Sequence, residues 1–307
     1  MKAILVGAVE STKIALQSLA ASPAWDLAAV LTLPLDLAGR HSDFVDLTDD
    51  ARDAGTRLVP VANSNSDDAI AAIAEHAPDY IFVIGWSQIC GPRFMASAGK
   101  GLIGFHPAPL PRLRGRGVIP WTILLDEPIS ASTLFLIDEG VDSGPVLGQR
   151  YFHLAPDESA ASLYEKHMTM LGEMLPPVLD DLASGRARPM AQDERYATYA
   201  TRRRPDDACI DWSDPAQDIW RMVRACGDPY PGAWTILNGK RVVVEAAQPV
   251  ALPHFRAAIT GQIVERSETQ FTVKCGDGVG LLVSQWRCER GGALPVHAIL
   301  GGQEMAA

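Results

Sequence analysis

The sequence lacks the features that mark membrane and secreted proteins. Among its 307 residues the longest apolar runs, such as Ile81–Ile84 and Val279–Val283, have the length of a strand. They fall far below the roughly 20 residues that a membrane-spanning helix needs. The N-terminal stretch MKAILVGAVE carries one Lys but no sustained apolar segment, which predicts a first strand rather than a secretory signal. We therefore expect a cytoplasmic protein with no membrane partner.

Cysteine is scarce and follows no pattern. The five cysteines are Cys90, Cys209, Cys226, Cys275 and Cys288. They include no CxxC pair and no even-numbered framework, so reduced thiols are expected rather than disulfides. Zinc-ligand spacing is absent as well, and the sequence predicts no metal site.

Positive charge is in deficit, with 27 Lys and Arg against 37 Asp and Glu and a formal net charge of −10. Binding to a nucleic-acid backbone depends on Lys and Arg that neutralise phosphates, so no nucleic-acid partner is expected. Two arginine clusters stand out against this background: Arg112, Arg114 and Arg116 in one segment, and Arg202–Arg204 in another. They favour a small anionic substrate.

Glycine-rich phosphate loops are missing too. The first strand is followed by Gly7-Ala8-Val9-Glu10-Ser11, which is not GxGxxG, and no P-loop is present. Sites for NAD, FAD or ATP are therefore not expected.

The order of the predicted elements indicates two domains. Residues 1 to about 155 alternate short apolar runs with helix-like stretches, which predicts an α/β, Rossmann-like domain with a mainly parallel sheet. A long helix over 159–183 follows, which Pro176-Pro177 should kink or split. From about Arg204 several short strands at near-regular spacing predict a small OB-like β-barrel. We expect a first domain over residues 1–203 and a C-terminal domain over residues 204–307.

Two segments carry the most specific pattern in the chain. They are Gly-Phe-His-Pro-Ala-Pro-Leu-Pro-Arg-Leu-Arg-Gly-Arg-Gly (104–117) and Asp-Glu-Gly-Val-Asp-Ser-Gly (138–144). Both resemble the folate-dependent formyltransferases, whose usual pattern is N-x-H-x-S-x-L-P-x-x-R-G followed by D-x-G-x-D-T-G. Through Met222–Ala225 and Asp228–Ala233 the later chain is similar to nucleotide-sugar N-formyltransferases, such as the UDP-4-amino-arabinose formyltransferase domain. The resemblance covers nearly the whole chain.

The resemblance implies an enzyme that moves a formyl group from 10-formyltetrahydrofolate, a co-substrate, to an amine. The expected acceptor is a small anionic molecule, a nucleotide-linked 4-amino sugar above all, with methionyl-tRNA or hydroxy-ornithine as alternatives within the class. A homodimer is among the expected assemblies. Two other functions stay open: hydrolysis of formyl-folate, in which water replaces the amine, and binding without catalysis.

The residue chemistry points to His106 and Asp142 as the reaction centre. Attack of an amine on a formyl carbon creates an oxyanion and releases a proton. His106 follows an apolar strand, where side chains face a ligand cleft, and its imidazolium can donate to the oxyanion. Asp142, in a glycine-rich turn, can orient the imidazole and accept the amine proton directly or through water.

One position departs from the family pattern. Gly104 stands where the family has an Asn that donates to the formyl oxygen. The amide of Gln88 or the hydroxyl of Ser87 is the expected replacement, since both follow the fourth strand and should lie beside His106. Alternatives are a water or backbone N–H admitted by the small glycine, or a degraded or repurposed enzyme.

Further roles follow from the same comparison. Residues expected at the pterin are Gly85, Trp86, Ser87, Gln88, Ile89, Asp138 and Gly140, although Trp86 fits a packing role equally well. Residues expected at the substrate are Pro107, Arg114, Gly115, Arg116, Arg203 and Arg204. The arginines would contact a phosphate or the folate glutamate tail. A solvated loop face (Arg114, Arg116) and an inter-domain salt bridge (Arg203, Arg204) are the structural alternatives.

Overall fold

The computed structural model describes residues 1–40, 43–288 and 294–301. Contacts between Cα atoms divide the chain into two compact units. The first contains Met1–Val118, Ile129–His153 and Tyr164–Thr201, and the second contains Ile119–Pro128, Leu154–Leu163 and Arg202–Ala307. The second unit thus includes two short segments that precede its main part in the chain. The domain boundary at residues 203 and 204 stays a prediction.

The first unit is built on a seven-stranded sheet. In spatial order its strands are β3 (Arg57–Pro60), β2 (Asp26–Thr32), β1 (Lys2–Val6), β4 (Tyr80–Val83), β5 (Gly101–His106), β7 (Ile129–Ile137) and β8 (Val146–His153). The first five strands run parallel, and β7 and β8 run antiparallel to their neighbours. The prediction of a Rossmann-like, mainly parallel sheet is confirmed.

Helices cover both faces of this sheet, which is why its central strands are apolar throughout. The helices of this unit are α1 (Glu10–Ala21), α2 (Thr48–Asp53), α3 (Asp67–Ala74), α4 (Pro92–Met95) and most of α6 (Ala160–Ala183). Helix α5 (Val118–Leu124) lies almost entirely in the second unit. Leu16 of α1 and Leu175 of α6 belong to the core on one face, whereas Ile73 of α3 and Phe94 of α4 belong to the core on the other. Burial on both faces is typical of parallel sheets.

Helix α6 runs without interruption through Pro176 and Pro177. We expected these prolines to kink or split the helix; the split is wrong, and the kink stays a prediction. A proline inside a helix removes a hydrogen bond and crowds the preceding turn. Here Leu171, Leu175 and Leu179 are fully buried around the prolines, so packing of the apolar face outweighs the lost hydrogen bonds.

A buried histidine on α6 makes the stability of the fold sensitive to acid. His167 is fully buried, and its Nδ1 lies 2.8 Å from Ser132 Oγ. Burial lowers the pKa of His167 from 6.5 to about 3, with the charge on His106 as a smaller cause. Below pH 6.5 His167 is protonated in the unfolded chain but stays neutral in the folded chain. The free energy of unfolding therefore falls as the pH falls from 6.5 towards 3.

We expect His167 alone to cost about 2 kcal/mol of unfolding free energy between pH 6.5 and pH 5. Urea unfolding of the wild type and of His167→Asn across this range measures the effect. Asparagine cannot titrate there and retains groups that can bond Ser132. The unfolding free energy of the variant should depend less steeply on pH, by the slope that corresponds to about one proton. Equal slopes for the two proteins would contradict the lowered pKa of His167.

The second unit carries a five-stranded antiparallel sheet. In spatial order its strands are β10 (Ala233–Leu237), β11 (Lys240–Val250), β14 (Gly280–Cys288), β13 (Phe271–Lys274) and β12 (Ile263–Arg266). Helix α7 (Ala216–Cys226) buries Ile219 and Val223 within this unit. An antiparallel β domain after the α/β domain is as predicted. Within the described parts of the chain, no helix is both long and apolar enough to cross a membrane.

Candidate active site

His106 is the last residue of β5, at the carboxyl end of the parallel strands where ligands of such sheets bind. The ring is 5% exposed. Its Nε2 lies 2.7 Å from the carbonyl oxygen of Leu113, and because a carbonyl can only accept, Nε2 must carry a proton. Nδ1 faces Asp142. The loop after β5 thus orients the imidazole and leaves Nδ1 for chemistry.

Asp142 lies in the turn between β7 and β8 and meets His106 there. Its Oδ2 is 3.6 Å from His106 Nδ1, within ion-pair range but too long for a direct hydrogen bond. The same oxygen accepts a 2.8 Å hydrogen bond from the backbone N–H of Gly115. Asp142 has a φ of 50° and Leu113 a φ of 58°, left-handed values that side chains other than glycine rarely adopt. Such strain is found most often at functional sites.

The turn that carries Asp142 takes its shape from the other residues of the 138–144 segment. Asp138 Oδ1 accepts hydrogen bonds from the N–H of Gly140 (3.1 Å) and from Ser143 Oγ (2.8 Å). A Cβ on Gly140 would lie 2.0 Å from Ser143 Oγ, and one on Gly144 would lie 1.7 Å from a backbone carbonyl. Asp138 and Gly140, which we expected at the pterin, therefore shape the turn. A contact of either with the cofactor stays a prediction.

A small two-stranded sheet connects the loop after β5 to the end of the first unit. Strand β6 (Arg114–Gly115) pairs in parallel with β9 (Tyr199–Ala200). A Cβ on Gly115 would lie 2.4 Å from the carbonyl oxygen of Ala200, so the close approach requires glycine. Gly115 thereby places its N–H against Asp142.

The hydrogen bonds of Arg114 do not fit the substrate-binding role that we expected from the sequence. The residue is 1% exposed, and all five of its N–H groups are bonded within the protein. Its partners are Gln192 Oε1, both carboxylate oxygens of Glu194 and the hydroxyl of Tyr199. Because no N–H is left for a phosphate or a carboxylate, Arg114 belongs to the scaffold of the site and not to its substrate-binding surface.

The space beside Gly104 is filled by an aromatic ring. Gly104 pairs with Phe135 of β7, and a Cβ on Gly104 would lie 2.8 Å from two ring carbons of Phe135 and 3.1 Å from Ile137. Phe135 is 4% exposed. An Asn side chain at position 104 therefore cannot enter unless Phe135 moves, which explains in packing terms why the family amide is missing.

We expect Gly104→Asn to destabilise the protein by about 1–3 kcal/mol, because the new side chain overpacks the contact with Phe135. Combining it with Phe135→Ala, which opens the space, should cost less than the sum of the two single variants. Urea unfolding of the four proteins gives this coupling energy directly. Strict additivity would mean that the ring does not occupy the missing amide's volume.

The loop after β4 is bound through Gln88 to the loop after β3. Gln88 donates through Nε2 to the carbonyl oxygen of Ala62 (2.9 Å) and accepts from the N–H of Ser64 (3.1 Å). In the strand order β3 lies on the opposite side of β4 from β5. The expected replacement of the family amide by Gln88 is therefore not what its hydrogen bonds show. Ser87 is exposed on the same loop.

The remaining predicted residues are distributed more widely. Trp86 packs against a core cluster of the first sheet, which favours its packing role. Pro107 is half-buried and Arg116 is exposed. In the second unit, the guanidinium of Arg203 lies 5.0 Å from the ring centre of Trp121, and its Nη2 donates to the carbonyl oxygen of Asp207. The side chain of Arg204 is exposed.

Two residues at the site escaped the sequence-based reasoning. Phe135 lies 31 positions from Gly104, and a long apolar strand gives no signal that one of its rings replaces a polar group. Gln192 donates to backbone carbonyls of the Asp142 turn and lies in an irregular segment. The sequence gives one indication of this role. Gln192, Glu194 and Tyr199 lie close together in the chain, and all three carry groups that can accept hydrogen bonds from an arginine.

Comparisons with known proteins agree with this architecture. Residues 28–179 match the family described as Formyl transferase, and residues 203–304 match Formyl transferase, C-terminal domain. A methionyl-tRNA formyltransferase from Roseiflexus sp. (strain RS-1) is 33% identical over 255 residues, which are 82% of this chain and 78% of that protein.

Solved structures show the same fold at lower identity. An N-formyltransferase from Helicobacter canadensis, in complex with folinic acid and dTDP-3-aminofucose, has a TM-score of 0.63 at 17% identity and covers 92% of this chain and 99% of its own. HypX from Aquifex aeolicus, in complex with tetrahydrofolic acid, has a TM-score of 0.63 at 18% identity, and this chain spans 43% of the length of HypX. On the family matches and the 33% identical relative, the chain belongs to the formyl transferase family and is a transferase enzyme.

Proposed function

We propose that this enzyme transfers a formyl group from 10-formyltetrahydrofolate to the amine of a small, nucleotide-linked 4-amino sugar. The observation that carries the proposal is the geometry of His106 and Asp142. A carbonyl orients the ring, a backbone N–H orients the carboxylate, and 3.6 Å separates Nδ1 from Oδ2. Preorganised groups of this kind are what acyl transfer requires.

The two side chains divide the chemistry between them. With Nε2 committed to Leu113, the imidazolium of His106 donates from Nδ1 to the oxygen on which negative charge develops. Asp142 accepts the proton that the attacking amine must lose, directly or through one water. Because Nδ1 and Oδ2 are not in direct hydrogen-bond contact, both remain open to a reacting group that lies beside them.

We assign the flat heterocycle of the co-substrate to the loop after β4. The indole Nε1 of Trp86 is buried, and no atom of the described residues accepts its hydrogen. The side chain of Ile89 is 83% exposed. Asn65 donates to the carbonyl oxygen of Ile89 and accepts from the N–H of Gly91, which holds the loop in place. When bound here, the co-substrate would supply a formyl carbon attached to an arylamine leaving group.

The acceptor is inferred from charge and from similar proteins. The Helicobacter canadensis enzyme was solved with dTDP-3-aminofucose, a nucleotide-linked amino sugar. A net charge of −10 is unfavourable for tRNA. Methionyl-tRNA is nevertheless the second candidate, because the 33% identical relative is a methionyl-tRNA formyltransferase.

An acceptor screen tests the proposal. The purified enzyme is incubated with 10-formyltetrahydrofolate and, separately, with nucleotide-linked 4-amino sugars, nucleotide-linked 3-amino sugars, hydroxy-ornithine and methionyl-tRNA. Mass spectrometry should find a product heavier by one formyl group with a 4-amino sugar nucleotide. Formylation of methionyl-tRNA alone would replace the proposed acceptor with the second candidate.

A further inference from the structure

Gln192 makes four hydrogen bonds that join the Asp142 turn to the scaffold. Its Nε2 donates to the carbonyl oxygen of Asp142 (2.8 Å) and to that of Gly144 (2.7 Å). Its Oε1 accepts from Nε (3.1 Å) and Nη2 (2.8 Å) of Arg114. The amide therefore uses both donors and both acceptor positions. A side chain with this pattern is held in one orientation.

Arg114, which donates to Gln192, is itself bonded to a carboxylate and to a hydroxyl group. Arg114 forms a bidentate pair with Glu194, at 3.0 Å and 2.7 Å, and donates to the hydroxyl of Tyr199 at 3.2 Å. The hydrogen bond to Glu194 raises the pKa of Arg114, so the guanidinium stays charged. Planar bidentate pairs of this type fix geometry as well as charge. The segment 192–200 thus anchors Arg114, and Arg114 anchors Gln192.

Both backbone groups next to the Asp142 carboxylate are attached to this network. Gly115, which donates its N–H to Asp142 Oδ2, directly follows Arg114 in the chain and pairs with Ala200. The carbonyl of Asp142 itself is held by Gln192. A left-handed backbone at Asp142 is strained, and such a conformation persists only when its surroundings hold it. Gln192 supplies that constraint through its bonds to the carbonyl oxygens of Asp142 and Gly144.

We propose that Gln192 is a positioning residue, which holds the strained turn so that the Asp142 carboxylate faces His106 Nδ1. The effect of Gln192 on turnover rests on the proposed function, whereas its effect on the turn does not. A displacement of about 1 Å at a reacting group can cost about 100-fold in rate. Loss of the two donors should therefore lower kcat by about 10- to 100-fold with little change in KM.

Two variants test the donor and acceptor groups of the Gln192 amide. Gln192→Met removes both the donors and the acceptor but keeps a side chain of similar length. Gln192→Glu keeps an acceptor for Arg114 but cannot donate to the two carbonyls, so it tests the inference even if the Met variant folds poorly. Gln262→Met is the matched control, because Gln262 also bridges two backbone groups, the N–H of Ile259 and the carbonyl of His297, but lies in the second unit.

The first readout is hydrogen exchange of the Gly115 amide by NMR, which reports the bond to Asp142 without any turnover. We expect exchange at least 10-fold faster in both Gln192 variants and unchanged exchange in Gln262→Met. The second readout is kcat in the wild-type and Asp142→Asn backgrounds. If Gln192 acts through Asp142, its replacement should lower kcat in the first background and add almost nothing in the second.

The outcomes separate the two proposals. Unchanged Gly115 exchange in both Gln192 variants would overturn the positioning role, and so would an equal loss of kcat in the Asp142→Asn background. Faster Gly115 exchange in an enzyme that shows no formyl transfer would support the positioning role and refute the proposed function.

Discussion

Asp142→Asn should lower kcat/KM for formyl transfer by about 10²–10⁴, the range expected when a positioned acid or base is lost. Asparagine has nearly the same shape, and its Oδ1 can still accept the hydrogen bond that Gly115 donates to Asp142. The variant should therefore fold normally and lose only the ability to accept a proton and to oppose the charge of His106. Steady-state kinetics with the best acceptor measure the effect.

Glu139→Gln is the control for this experiment. Glu139 lies on the same turn, is exposed, and undergoes the same change from carboxylate to amide. It should keep wild-type kinetics. If Asp142→Asn retained more than a tenth of the wild-type rate, the assignment of proton acceptance to Asp142 would be wrong.

His106 allows a sharper prediction, because its two nitrogens have different environments. The amide nitrogen of an asparagine reaches approximately the Nδ1 position, whereas that of a glutamine reaches approximately the Nε2 position. Since Nε2 is bonded to Leu113 and Nδ1 faces Asp142, only the asparagine leaves a donor where we place the oxyanion. His106→Gln should lose about 10²–10³ in kcat, and His106→Asn should lose clearly less.

The ranking of the two His106 variants is the informative result. Thermal unfolding of both proteins checks that neither has lost the fold. If His106→Gln were the more active of two well-folded variants, Nε2 and not Nδ1 would be the donor. The ring would then have to release Leu113 during the reaction.

The sequence predicted those features of the site that depend on residues close together in the chain. The strand before His106 and the glycine-rich turn around Asp142 are both contiguous patterns, and a mainly parallel sheet brings strand ends together at one edge. The structure accordingly shows the two side chains facing each other. Their catalytic roles remain our proposal, to be tested by the variants above.

The sequence did not predict side-chain positions that depend on residues far apart in the chain. Arg114 lies in a segment with two other arginines. Nothing in that segment indicates that Gln192, Glu194 and Tyr199 accept hydrogen bonds from its N–H groups. Gln88 follows a strand next to β5, but its amide reaches the loop beyond β3. In both cases tertiary hydrogen bonds decide the role, and they join positions between 24 and 85 residues apart.

The fate of the label in 10-[¹³C]formyltetrahydrofolate tests the central claim most directly. The substrate is mixed with the enzyme and a nucleotide-linked 4-amino sugar, and the ¹³C signal is followed by NMR. The account predicts that the label moves to an N-formyl amide on the sugar, at a rate that depends on the amine and collapses in Asp142→Asn. Label that appears as free formate whether or not the amine is present, or that stays on the folate with every amine offered, would contradict it.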